Sequence, residues 1–431
     1  PVQKQAIGST FPSGSTNIAP PSRLPPDWVQ DYKIPFDKLP QRLLRVLKEK
    51  ERADPGSRRQ YITIISKEIF TFCPRPGKAN LKVVAQKSVQ AFPIALVDEF
   101  CGEKLAGGYG SLLQSFISKF ENLNRQSIFS SVKRKVNTSL DIDDPTKLVK
   151  KSDQYGCINW QPEMLPEGET EETQQNKREQ LVHLSSLVSR DSVGEEAILL
   201  LEDTYCSQRK DINSLTGVKT LLMSWPLLFA EEGLLLHFKL LVGLDISSTF
   251  KTSFLRKGVV MEKYFLQNLK GKMKETIVRH PSGSTEVVLL LLMDHFQEKH
   301  DSLFIEVDSS STVKDVESLN ILPATPCLVI CDNEHSHKSY MVAVDKKVVN
   351  ETTPTFERAF YMLFASFFVF NIEYTETACS TLEFVQRCFL NINPDKGTKR
   401  GSKNPKKKTK TSIMDPKVLT LTQKLGAFEW C

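Results

Sequence analysis

Apolar residues at helical spacing are the feature that most narrows what this chain can fold into. Between residues 57 and 125 they recur three and four apart: Tyr61, Ile64, Ile65, Ile69 and Phe72, then Leu81, Val84, Ala85, Ala91 and Phe92, then Leu112, Leu113, Phe116, Ile117, Phe120 and Leu123. That period puts one apolar stripe on each of three amphipathic helices. "CPRPG" (73–77) and "GGYGS" (107–111) interrupt the pattern with residues that do not continue a helix. Ser57 with Gln60, and Ser192 with Glu195, have capping-box spacing and predict two helix starts. Helical patterns resume from 169 to 189 and fill most of 217–298, broken at Trp225-Pro226 and at "HPSGS" (280–284). "CLVIC" (327–331) and "SYMVAV" (339–344), around the polar turn "DNEHSHK", read as a β-hairpin. Two further helices are expected at 355–369 and 375–390. The expected fold is mainly α with a small β-hairpin element: a helical N-terminal domain plus a larger α-rich (α+β) C-terminal domain.

At 431 residues the chain exceeds one ordinary core. Residues 1–27, rich in Pro, Ser, Gly and Thr, read as a flexible lead-in. Residues 28–125 read as a basic helical domain, whose opening "PPDWVQDYKIPFDKLP" is expected to lie as an extended strap on its surface. Residues 126–168 read as a linker and 169–395 as an acidic α-rich domain with its hairpin near 327–345. A disordered basic segment, 396–410, and a C-terminal tail, 411–431, complete the layout.

The net charge of +6 conceals that layout. Residues 1–150 carry a balance of +10, residues 151–395 one of −12, and residues 396–410 one of +8. A basic head, an acidic body and a basic run point to nucleic acid, to an acidic partner, or to the head docking on its own body. Nine cysteines, an odd number scattered through apolar segments, are the pattern of free thiols in a reducing compartment. The longest apolar run, Ala359 to Phe370, falls short of the roughly 20 residues that a membrane span needs, so no membrane partner is expected.

Candidate sites lie mostly in the head. Helices 58–72 and 78–92, joined by five residues, have the outline of a helix-turn-helix. Lys78, Lys82 and Lys87 would neutralise phosphates and Gln86 and Gln90 would read base edges, with Arg58 and Arg59 adding phosphate contacts. An ordinary solvated face of a helical bundle has the same composition. In "KGTKRGSKNPKKKTK" (396–410), Lys406, Lys407, Lys408 and Lys410 fit the short basic pattern of a nuclear import signal. Cys327, Cys331, His335 and His337 are metal-ligating types, but their spacing departs from standard zinc motifs. In "GEKLAGGYG" (102–110), Gly108 stands where a phosphate loop needs Lys, and His295 and His300 lie five rather than four apart. No nucleophile-elbow, zinc-protease or dinucleotide motif occurs, so no cofactor is expected.

Several segments resemble the sterile alpha motif domain-containing protein 3-like family of vertebrate chains: "LPPDWVQDYKIPFDKLP", "SRRQYITIISKEIF", "GGYGSLLQSFISKFENLNR", "YGCINWQPEMLPEGETEETQQNKREQL" and "FVFNIEYTETACSTLEFVQRCFLNI". Their order and spacing cover most of 25–395. The resemblance implies no stated activity, and the sterile alpha motif itself has no counterpart in these residues. The expectation is therefore a non-enzymatic nuclear interaction or regulatory protein that binds DNA or RNA through its basic head. Its alternatives are a protein-interaction scaffold without nucleic-acid contact, located in nucleus or cytoplasm, and an enzyme-derived domain whose sign would be a deep polar pocket.

Overall fold

A computed structural model describes residues 28–49, 51–126, 162, 164–187, 193–214, 217–280, 283–332, 338–394, 399 and 414–429. The head begins with a short helix α1 (Trp28–Asp31) and an extended stretch leading to α2 (Gln41–Lys48). The expected extended strap is extended only over 32–35, between α1 and a 3-10 turn, Phe36–Lys38, and is fastened by the buried side chains of Val29, Ile34 and Leu39. Helices α3 (Pro55–Phe72) and α4 (Lys78–Ala91) follow on either side of the "CPRPG" turn. The start of α3 differs from expectation. Asp54, not Ser57, is the N-cap, its carboxylate accepting from the amides of Gly56 at 2.8 Å and Ser57 at 3.1 Å. Pro55 takes the first helical position, where a missing N–H costs nothing. A two-residue hairpin, β1 (Glu99–Phe100) with β2 (Glu103–Lys104), then leads to α5 (Gly110–Gln126). Tyr61, Ile65, Ile69, Leu81, Val84, Ala85, Leu112, Phe116 and Phe120 from the three predicted stripes form one buried core.

The body opens with α6 (Glu171–Leu187), α7 (Glu195–Asp203), α8 (Tyr205–Asn213), α9 (Val218–Ser224), α10 (Glu231–Val242), α11 (Ile246–Gln267), α12 (Met273–Arg279) and α13 (Thr285–Phe296). Gly194 stands at the N-cap of α7 with no side-chain bond, and Ser192, of the expected capping box, lies outside the described residues. Gly243, at a left-handed φ of 75°, closes α10 and lets α11 leave at 83° to it. Among the described residues no single helix is long and apolar enough to cross a membrane.

The expected hairpin is present as β4 (Cys327–Asp332) and β5 (Ser339–Val344), with Val329 opposite Met341. It is the centre of a larger sheet. Preceding it, β3 (Phe304–Asp308) runs parallel to β4 through a crossover containing α14 (Val313–Ser318), and β6 (Lys347–Thr353) pairs with β5 on the far side. The two sheet faces separate as strand alternation requires. Leu328, Ile330, Val342 and Val344 join the main core beneath α15 (Phe356–Val369), while Cys327, Val329, Cys331, Met341 and Ala343 pack with Val316 of α14.

The chain continues through α16 (Cys379–Phe384), which runs into a π-helical turn, Val385–Phe389. The expected C-terminal tail is instead a helix, α17 (Pro416–Glu429). Val418, Leu421 and Leu425 sink it into the main core. The overall result is a mainly α protein with a minor β element.

Candidate functional site

The head's seven predicted contact residues do not form one free cationic face. Arg58 turns inward. Its guanidinium donates to the carbonyl of Leu96 at 3.3 Å, to Asp98 Oδ1 at 3.1 Å and to the Ser111 hydroxyl, and Asp98 also takes the amide of Ser111 at 2.6 Å. The guanidinium therefore ties α3 to the hairpin approach and to the start of α5. Lys87 is turned toward the strap, donating to the carbonyls of Val29 at 2.9 Å, Gln30 at 2.5 Å and Tyr32 at 2.9 Å. A lysine there satisfies carbonyls that the end of a helix leaves open.

Lys78, Lys82, Gln86 and Gln90 repeat every four residues along one side of α4, whereas Lys87 turns to the strap. Lys78, Gln86 and Gln90 are exposed, Lys82 is half-buried, and both lysines are engaged by neighbouring groups. Partial burial moves the Lys78 ammonium below its usual range. Arg59 is exposed on α3.

Other sequence candidates resolve as structural features. The Cys327 thiol is pushed up to about 12 by burial, and that of Cys331 rises for the same reason, which suits sheet packing better than metal ligation. His335 and His337 lie outside the described residues, and among those described no group of three potential ligands could hold a metal. Lys406, Lys407, Lys408 and Lys410 also lie outside.

Lys399 is the one described member of the basic run, and it corrects the expectation of disorder at that position. Its ammonium is buried, donating to the carbonyls of Phe367 and Ile372, each at 2.7 Å, and it sits 4.9 Å from the Phe368 ring centre. It closes the end of α15, while its own carbonyl accepts from the amide of Tyr374 at 2.8 Å.

The head and body meet through the small hairpin. Phe100 and Leu105 belong to the body's core, not the head's. Glu103 reaches two cations of α11, Arg256 and Lys257, with Lys257 Nζ 2.6 Å from Glu103 Oε2. Lys257 is wholly buried and also donates to the carbonyl of Cys388, in the π-helical turn. Burial pushes the Cys388 thiol up to about 12 although Lys257 and Arg387 pull the other way. On the opposite flank, Arg52 donates to the Glu99 carbonyl at 3.3 Å beneath Gly426 of α17, where a Cβ would stand only 2.0 Å from Arg52 Nη1. The described ion pairs across this contact join a head carboxylate to body cations, not the expected basic head to an acidic body.

A second surface escaped the sequence reading. Residues 246–279 contain eight basic and two acidic residues, a balance of +6 inside a body of −12. On α11, Leu255 (69 % exposed), Val259 (53 %) and Leu266 (44 %) project on the side opposite the buried Phe250, Met261 and Phe265. At 100° per residue these three fall within about 40° of one another. Exposed Lys251 and Lys263 flank them on the same helix, and Lys270 and Lys272 follow in the next turn. Burial lowers His295 beside this end, helped by Lys424 of α17 and by Lys270. The regional charge average hid this island.

A cleft of about 480 Å³ between α6 and α7 is lined by Asn176, Glu179, His183 and Glu196 and opens broadly to solvent. Neither a family model, nor a curated protein, nor a solved structure matches this chain.

Proposed function

We propose that the chain is a non-enzymatic interaction protein that acts in the nucleus and engages other proteins, with the basic run beyond Lys399 as its import address. The observation that carries this reading is the α11 surface. Helices that bury one apolar stripe usually present polar residues on the other side, whereas α11 also exposes Leu255, Val259 and Leu266 there, among its lysines. Leaving such residues in water is unfavourable, and a partner would cover them. The integrated head and body would serve as a scaffold holding that surface in place. Membership of the sterile alpha motif domain-containing protein 3-like family belongs to the same proposal and rests on the segments quoted above.

Nucleic-acid binding through the head is the second reading. The exposed Arg59, Lys78, Gln86 and Gln90 favour it. The internal bonds of Arg58 and Lys87 remove two of its seven contacts. Binding to a mixed-sequence DNA duplex, measured against salt, separates the two. A steep loss of affinity with salt that Arg59→Ala and Lys78→Ala reduce would favour the head. The protein-partner reading expects weak binding that these substitutions leave unchanged. The address is tested by deleting 401–410, which spares Lys399. The tagged chain is expected to leave the nucleus with its thermal stability intact, and continued nuclear retention would refute the address.

A further inference from the structure

We infer that the exposed face of α11 is a seat for an acidic amphipathic helix of a partner protein. The inference rests on the interaction reading above and names the chemistry of the partner. Leu255 and Leu266 lie eleven residues apart with Val259 between them, a ridge about 16 Å long at 1.5 Å per residue. A ridge of that length and narrowness matches the apolar stripe of another helix, which would contribute its own residues at spacings of three and four.

The flanks define the charge. Lys251 and Lys263 border the ridge on its two sides, and Arg256 beside it is already held by Glu103 of the head. Cations beside an apolar seam select a partner with carboxylates at its own flanking positions, as charged flanks do in paired helices. A nucleic acid would satisfy the lysines but leave the two leucines and the valine without apolar or stacking partners, since the ridge carries no aromatic ring. The two exposed lysines on either side of the ridge, Lys251 and Lys263, supply the attraction at this face.

The test uses the full chain and two synthetic 20-residue helical peptides. Both carry leucine on one face; one has glutamate flanks and the other lysine flanks. Fluorescence anisotropy at low and physiological salt reads their binding. The glutamate peptide is expected to bind, to weaken as salt rises, and to lose at least tenfold in affinity on Leu255→Asp/Val259→Asp, with Lys263→Glu weakening it further. Both positions are solvent-exposed, and an unchanged circular dichroism melt would confirm that the variant folds. Equal binding of both peptides, binding of neither, or an unchanged affinity in the double variant would overturn the inference. So would phosphatidylserine vesicles or duplex DNA binding through Leu255 and Val259 in place of the glutamate peptide. Proximity labelling in cells keeps the two readings apart. Loss of protein neighbours in the double variant without peptide binding refutes the acidic helix alone, and an unchanged set of neighbours refutes the interaction surface itself.

Discussion

Removing Glu103 should damage the protein more than removing the lysine it holds. Lys257 is wholly buried, and its ammonium has two acceptors among the bonds described above, the Glu103 carboxylate at 2.6 Å and the Cys388 carbonyl. Glu103→Gln leaves a buried ammonium without its counter-charge. Breaking a buried pair from one side costs roughly 3–5 kcal/mol. Glu103 is 29 % exposed, so water reaches its side of the pair and the lower end, about 3 kcal/mol, applies. Lys257→Met removes the buried charge itself while keeping an unbranched apolar side chain. Glu103 then retains Arg256 in a partly solvated pair, and Ser253 still donates to the Cys388 carbonyl at 3.4 Å. Apolar replacement of a buried charge is often near neutral, so the cost should stay within about 1 kcal/mol. The Glu103→Gln/Lys257→Met double variant should recover most of the loss. Thermal unfolding checks this, because about 1 kcal/mol corresponds to roughly 2–4 °C in domains of this size. A Lys257→Met variant as unstable as Glu103→Gln would refute the reasoning, showing that packing around α11, not charge pairing, holds the junction.

Two further outcomes follow from the geometry. Gly426→Ala places a methyl 2.0 Å from Arg52 Nη1 and 2.9 Å from the Glu99 carbonyl, so α17 must withdraw from the head; overpacking of this kind costs about 1–3 kcal/mol, readable as a lower melting temperature and faster proteolysis at the hairpin. His237 is buried against Gln208 and Arg209, and desolvation with the nearby guanidinium holds it well below its usual 6.5. Because the unfolded chain takes up this proton more readily, this contribution to stability is present above 6.5 and is lost as pH drops below it, with a limiting slope of about 1.4 kcal/mol per pH unit, and His237→Gln should flatten that part of the pH profile in a urea titration.

Local pattern made the helices legible, because the apolar residues of α3, α4 and α5 repeat within a few residues of one another. The β4–β5 hairpin was legible for the same reason, two short apolar runs around a polar turn. Its neighbours were not. Strand β3, "FIEVD", is five residues long with two carboxylates, and its partner β4 begins 19 residues after it ends, across a helix. Strand β6, "KVVNETT", is polar enough to pass for a loop. Helix α17 carries Val418, Leu421 and Leu425 at helical spacing, but its place after the basic run disguised a core element as a tail. Among the candidate contacts, the four-residue spacing of Lys78, Lys82, Gln86 and Gln90 follows from the helix itself, whereas the turn of Lys87 toward the strap does not. The fate of Arg58 depended on Asp98 and Ser111, 40 and 53 residues away, and no local pattern reports such a partner.

The charge layout shows why regional sums fail as guides to contact. A balance of +10 facing one of −12 suggested a cationic head on an anionic body, yet the head donates Glu103 and the body donates Arg256 and Lys257. Charges more than about 8–10 Å apart are largely screened in salt, so a surplus spread over 150 residues has little say in one interface. A single buried pair has a great deal, because its energy is set by distance and desolvation. Lys399 carries the same lesson into the basic run. Counted with its neighbours it is one of eight solvated cations, but it closes α15 against two carbonyls and an aromatic ring. Lys399 is therefore a structural clasp, and an experiment that removes all of 396–410 to test the proposed address would unfasten that clasp as well.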